Sequence, residues 1–175
     1  MTIKDRQRGR VALFGARGER LLAPGRFLSL PASIVGLTLA VVGVGITVSG
    51  IVDLIDGGPD VVVLLSTGLV IWAVGSAMWR LFLVPKQIRT LDVFTTVTLA
   101  WLAMAFAGAI PFILTGQFDR IDDALFESIS GFTTTGATVI PDIEATSKGL
   151  LFWRSTTQWM GGMGVIVLVV AVLPT

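Results

Sequence analysis

Apolar residues along this chain do not alternate; they run. Four long stretches dominated by them, residues 32–52, 61–84, 93–114 and 150–173, are each 21 to 24 residues long. At 1.5 Å per residue each would make a helix of about 31 to 36 Å, enough to cross a hydrocarbon core of about 30 Å. Pro31 stands where the first turn of the first helix is expected, a place where its missing N–H costs nothing. Trp72 falls in mid-run, and Trp79 and Trp153 fall near run ends, where an amphipathic indole suits the membrane interface. Such runs could also be the buried helices of a soluble domain. Composition decides against that: 53% of the residues are hydrophobic and only 14% charged, where a soluble domain carries roughly a quarter. The first run exceeds the apolar core of a signal peptide and no small-residue cleavage site ends it, so it reads as a retained anchor.

Charge orients the four spans. Lys4, Arg6, Arg8, Arg10, Arg17, Arg20 and Arg26 precede the first, and Arg80, Lys86 and Arg89 lie around the connection between the second and third. The connection between the first and second holds Asp53, Asp56 and Asp60 and no base. Beyond the third come Asp119, Asp122, Asp123, Glu127, Asp142 and Glu144, against Arg120, Lys148 and Arg154. Ten basic residues thus fall on one side and three on the other. The positive-inside rule puts the N-terminus, the 80–92 connection and the C-terminus in the cytoplasm of a cytoplasmic-membrane protein. The basic N-terminal run reads as a topology signal in contact with anionic lipid, not as a nucleic-acid surface.

Residues 115–149 must leave and return on the outer face, yet positions 124–139 are uncharged apart from Glu127. That is too apolar for a plain external loop and too short to cross twice. A re-entrant segment fits: in as a short helix, back as extended chain. Asp122 or Asp123 is placed to cap the helix, and both put negative charge at its positive end. Ala124, Leu125, Phe126 and Ile129 supply an apolar surface, and Gly131 suits a left-handed stop. The ten residues 122–131 make about 15 Å of helix, half a bilayer. The C-terminal end would aim its partial negative charge into the membrane, which favours a cation. The stretch that follows, "GFTTTGATVIP" at 131–141, is rich in hydroxyls and glycine. Non-helical backbone at membrane depth is tolerated only where protein buries it or where it lines a watery cavity, and carbonyls freed from a helix can replace an ion's water shell. One arm of a cation filter is the functional reading. A hydroxyl-rich turn capping two helices is the plain one.

"SISGFTTTGATVI" at 128–140 and "WRSTTQWMGGMGVIVLVVAVLP" at 153–174 resemble the Trk/Ktr/HKT superfamily of potassium transporters, specifically its bacterial TrkH/TrkG-like membrane subunit. The likeness is close over residues 93–175, and the two preceding spans resemble the additional N-terminal helix pair of TrkH-like members. It implies an all-α polytopic fold with four transmembrane helices, one re-entrant pore helix and a filter loop. It divides the chain into a basic cytoplasmic segment (1–30), an N-terminal helix pair (31–90) and a first helix–pore loop–helix repeat (91–175). Gly136 falls on the family's filter glycine. Thr134, Thr135, Gly136 and Ala137 would then offer carbonyls, flanked by Thr133 and Thr138, with potassium held by backbone at Thr135 and Gly136. One glycine stands where a dedicated potassium channel has two, so potassium preference is implied and discrimination against sodium is left open. The family carries four repeats around one pore, and this chain holds one. It is expected to be the N-terminal portion of a longer transporter. A homotetrameric channel of single repeats and a non-conducting scaffold are the alternatives. The family also implies a homodimer of the full subunit and a cytosolic nucleotide-binding gating ring as partner.

The remaining polar and small residues of the fourth run have simpler readings. Gly161, Gly162 and Gly164 suit close helix packing. Gln158 suits an interhelical hydrogen bond. Arg154, beside Trp153 near the outer end, suits snorkelling to the interface. The six acidic residues beyond the third span could concentrate cations at an outer mouth or form a solvated face. The chain has no Cys and no His, so thiolate metal sites are excluded and the commonest general base is missing. No catalytic residue and no cofactor is expected, only a transported cation.

Overall fold

The computed structural model describes residues 29–82 and 90–172. The basic N-terminal segment up to residue 28, Lys86 and Arg89 of the basic connection, and the C-terminal ends of the second and fourth predicted spans (83–84 and 173) lie outside the described residues. Five helices follow one another: α1 (Ser29–Asp56), α2 (Val61–Leu81), α3 (Thr90–Leu114), α4 (Ile121–Phe132) and α5 (Lys148–Val172). No strand occurs among the described residues.

Among the described residues three helices are long and apolar enough to cross a membrane, over Pro31–Asp56, Val61–Leu81 and Val93–Leu114. The fourth predicted span, in α5, matches them with 25 residues, but its first half carries Arg154, Gln158 and several hydroxyls. Of these, Thr157 is buried, Arg154, Thr156 and Gln158 are half-buried, and Ser155 is exposed.

α1 and α2 form a tight antiparallel hairpin because glycines face each other along it. A Cβ on Gly36 would lie 2.8 Å from the Gly75 carbonyl oxygen, and one on Gly43 would lie 2.7 Å from that of Gly68. The backbones approach as only side-chain-free positions allow. The connecting end of this hairpin grips the start of α5. Asp53, fully buried, accepts the Asp60 amide at 2.8 Å and the Gly149 amide at 3.0 Å. It thereby satisfies a first-turn N–H of α5 that has no partner inside its own helix. Ser147 Oγ donates to Asp60 at 2.5 Å, and Lys148 Nζ to Asp56 at 2.6 Å. Val42, Ile46, Leu64, Phe112, Phe132 and Trp153 form the centre of the apolar core.

Trp153 is not an interface anchor. It is fully buried, meets Phe132 edge-on with ring centroids 6.3 Å apart, and donates Nε1–H to the Gly108 carbonyl at 3.0 Å. The bond supplies inside the protein what the interface would supply outside.

Candidate functional site

α4 sits between α3 and α5. It starts at Ile121 and its N-cap position is Arg120, with no side-chain cap bond. Asp122 and Asp123 lie within the first turn instead of capping it, so they act on the helix through charge alone. The Arg120 guanidinium hydrogen-bonds Asp122, Nε to Oδ1 at 2.9 Å, and this bond holds the Asp122 carboxyl below its ordinary value.

The face that α4 buries mixes polar with apolar residues, Phe132 and Ala124 among the latter. Ala124, Glu127, Ser128 and Gly131, at helical spacing, are buried, while Phe126 and Ile129 are exposed. The expected apolar contact surface is thus only partly used for contact: Ala124 and Leu125 pack with the core, while α3 and α5 also offer a backbone carbonyl and a cation to the polar residues. Ser128 Oγ donates to the Ala105 carbonyl of α3 at 2.8 Å. Gly131 does not stop the helix in a left-handed turn: α4 runs on through Phe132. Its small size is needed because a Cβ there would lie 2.1 Å from Thr157 Oγ1. At Gly161 of α5 a Cβ would lie 1.9 Å from the Phe132 carbonyl oxygen. Gly161 is about 20 Å along α5 from its N-terminal end. The C-terminal end of α4 therefore lies near the middle of a membrane-length helix.

From there the chain returns without helix. Thr133 to Val139 are all exposed, and Ile140 is buried again. Thr134 and Gly136 take positive φ, +58° and +76°. For a β-branched residue this is a strained conformation. The first loop amides fold back on α4, Thr134 N to Gly131 O at 2.9 Å and Thr135 N to Ser130 O at 3.0 Å. Thr133 Oγ1 donates to the Ile129 carbonyl and pairs with Thr135 Oγ1, both at 2.8 Å. The Ala137 carbonyl accepts Ser130 Oγ at 2.5 Å.

Arg154 does not snorkel. Its guanidinium pairs through Nε with Glu127 Oε1 and through Nη2 donates to the Gly136 carbonyl at 3.0 Å. The other Glu127 oxygen accepts Thr138 Oγ1 and the Val139 amide, each at 3.0 Å. A buried carboxylate and a base on the next helix are a pairing signal readable in principle from two opposite charges at membrane depth; treating Arg154 alone obscured it. Gln158 makes no interhelical hydrogen bond among the described residues. Of the acidic residues proposed for an outer mouth, Asp122 and Glu127 are ion-paired. Asp142 is occupied by the Glu144 and Ala145 amides at 3.0 and 3.1 Å.

Membrane-length helices with a half-length helix set between two of them, and an exposed extended segment leading back, define a polytopic membrane protein of the helix–pore loop–helix class. The chain belongs to the TrkH cation transport protein family, whose model matches residues 62–175. It is 47% identical over 91 residues to the Trk system potassium uptake protein TrkH of Halomonas elongata, covering 51% of this chain and 19% of that one. It is 41% identical over 111 residues to the protein of the same name from Escherichia coli K12, covering 62% and 23%. The crystal structure of the potassium transporter TrkH from Vibrio parahaemolyticus superposes with a TM-score of 0.77 at 38% identity, over 85% of this chain and 32% of that one. The chain therefore spans only a fifth to a third of the length of these relatives.

Proposed function

We propose that this chain contributes one pore loop to a potassium uptake pathway across the cytoplasmic membrane. In this reading α4 is the pore helix. The exposed loop after it lines the pathway, with the backbone at Thr134, Thr135, Gly136 and Ala137 as the ion-contacting stretch and Thr133 and Thr138 at its edges. The observation that carries the reading is the loop itself: exposed throughout 133–139, at the negative end of a half-length helix, with two residues of positive φ that stop it from becoming helix or strand. The named relatives are potassium uptake proteins, which supports potassium as the cargo. Residues 31–90 serve as an accessory hairpin, 91–175 as the pore repeat and 1–30 as a cytoplasmic segment. The remaining repeats, a homodimer of the full subunit, a cytosolic gating ring and the surrounding lipid complete the working assembly.

The test transplants residues 93–172 into the matching part of the Escherichia coli relative, in cells lacking other potassium uptake, and measures rubidium influx. Influx is expected, and Gly136→Ser should lower it about tenfold or more or admit sodium, because a left-handed position tolerates no side chain cheaply. Equal influx with and without Gly136→Ser would sink the assignment of the loop. The intact 175-residue chain in proteoliposomes, assayed alongside, separates a self-assembling pore from a contributing repeat.

A further inference from the structure

We propose that Gln158 is a specificity-determining residue of the cation pathway: its side-chain amide lies on the watery side of the pore loop and lends its oxygen to the hydration shell of a passing monovalent cation. This rests on the pore-loop reading above and adds a side chain to a path so far built of backbone. Gln158 is half-buried and makes no hydrogen bond to any described residue. Among the described residues no buried side-chain nitrogen or oxygen lacks a partner, so the atoms of this amide reach the surface of the molecule. An amide side chain has two donors and an oxygen with two lone pairs. Leaving them unmet against hydrocarbon is costly, and polar side chains at membrane depth accordingly face protein or a water-filled cavity.

Helical geometry fixes the direction. Arg154 and Gly162 stand one turn before and one turn after Gln158, each about 6 Å away along α5 and about 40° round it. Both meet the loop: Arg154 Nη2 donates to the Gly136 carbonyl at 3.0 Å, and a Cβ on Gly162 would lie 3.8 Å from Thr134 Cγ2. Gln158 lies between them in height and in rotation, so it faces the loop at the level of Thr134 to Gly136. The opposite side of α5 is different in kind. Phe152, Trp159 and Met163 line an apolar groove against Val41 and Val44 of α1. The hydroxyls there, Ser155 and Thr156, are taken by their own helix, donating to the carbonyls of Leu151 and Phe152 at 3.0 and 2.8 Å. Unmet hydrogen-bonding groups thus gather on one side of the helix. The exposed backbone at 133–139 and the amide of Gln158 both require water, and they share a side and a depth. An amide oxygen is the same kind of ligand for a hard cation as a backbone carbonyl. Being uncharged, it orders the water of the ion without trapping the ion.

The test uses the transplant described above, with any cysteine of the recipient replaced by serine; residues 93–172 bring none. Gln158→Cys is compared with Trp159→Cys and Met163→Cys, which face the groove. A charged methanethiosulfonate reagent added to both sides of membrane vesicles should modify position 158 about tenfold faster or more, because the reactive thiolate forms where water reaches it. Saturating rubidium should slow that reaction. Gln158→Leu, which keeps the bulk and removes the amide, should raise the half-saturating rubidium concentration about fivefold, what one net hydrogen bond is worth, and shift the rubidium-to-sodium ratio. Gln158→Asn should recover part of both. A merely structural glutamine would change the maximal rate through the amount of folded protein and leave half-saturation where it was. With rubidium influx intact in the unsubstituted transplant, reaction at 158 no faster than at 159 and 163 overturns the proposal alone, and so does an unchanged half-saturation in Gln158→Leu. An unsubstituted transplant that carries no rubidium overturns the transport reading and the proposal together.

Discussion

Gly161 and Gly162 are neighbours in the chain and opposites in space. A Cβ on Gly161 would stand 1.9 Å from the Phe132 carbonyl oxygen, whereas on Gly162 the nearest atom is Thr134 Cγ2 at 3.8 Å. Gly161→Ala should therefore cost about 1–3 kcal/mol by forcing α4 and α5 apart, and Gly162→Ala should stay within about 0.5 kcal/mol. Thermal unfolding of the two variants in one detergent checks this, and equal melting temperatures would refute it. Gly136 is a third kind of glycine. Nothing lies within 4 Å of its would-be Cβ, and its φ is +76°, so the barrier to a side chain is the backbone and not space. Gly136→Asn should then cost less than Gly136→Val by about 1 kcal/mol, since Asn tolerates the left-handed region and β-branched residues do not. A ranking by side-chain volume, with no advantage for Asn, would contradict the argument.

At the scale of the element, α4 is legible in length and position and partly illegible in orientation. Its start near Asp122, its end near Gly131 and the exposed turn after it all follow from charge, glycine and hydroxyl content. Which face it buries does not. Ala124, Leu125, Phe126 and Ile129 suggested an apolar surface; Ala124 is in the core and Leu125 packs against it, but Phe126 and Ile129 are exposed and Glu127 and Ser128 are inside. Their partners, Arg154 and the Ala105 carbonyl, belong to other helices. The same holds for Trp153 and Gly131, whose reasons are Gly108 and Thr157, 45 and 26 positions away. Propensity and periodicity describe a segment's own preferences; a partner on another helix is invisible to them. Trp153→Phe tests one such contact. It keeps an aromatic ring against Phe132 but leaves the Gly108 carbonyl without its donor, and should lower stability by about 1 kcal/mol. Unfolding monitored by circular dichroism would show it, and no change would mean that the indole N–H adds nothing there.

For the whole molecule, the decisive contact is the clasp between the connection of the α1–α2 hairpin and the start of α5. Asp53 accepts two backbone amides while fully buried, and hydrogen bonds to a charged acceptor contribute about 1.5–3 kcal/mol. Asp53→Ala should cost about 2–4 kcal/mol on that basis and should open the 57–60 connection to protease before the helices melt. Cleavage that stays as slow as in the unsubstituted protein would show that the glycine seam alone holds the hairpin in place. The clasp ties the hairpin to the repeat: an acidic connection read from sequence as a topology marker supplies the missing partner of a helix start elsewhere.

That clasp has a bearing on how the protein is made. Asp53 has one partner, the Asp60 amide, as soon as the hairpin exists, but the other lies 96 residues downstream. While a ribosome is still working through the third helix, the hairpin can already sit in lipid with its carboxylate half satisfied. Only when Gly149 emerges does the second amide arrive. A nascent chain that stalls before that point carries a buried carboxylate with one of its two amide partners still missing.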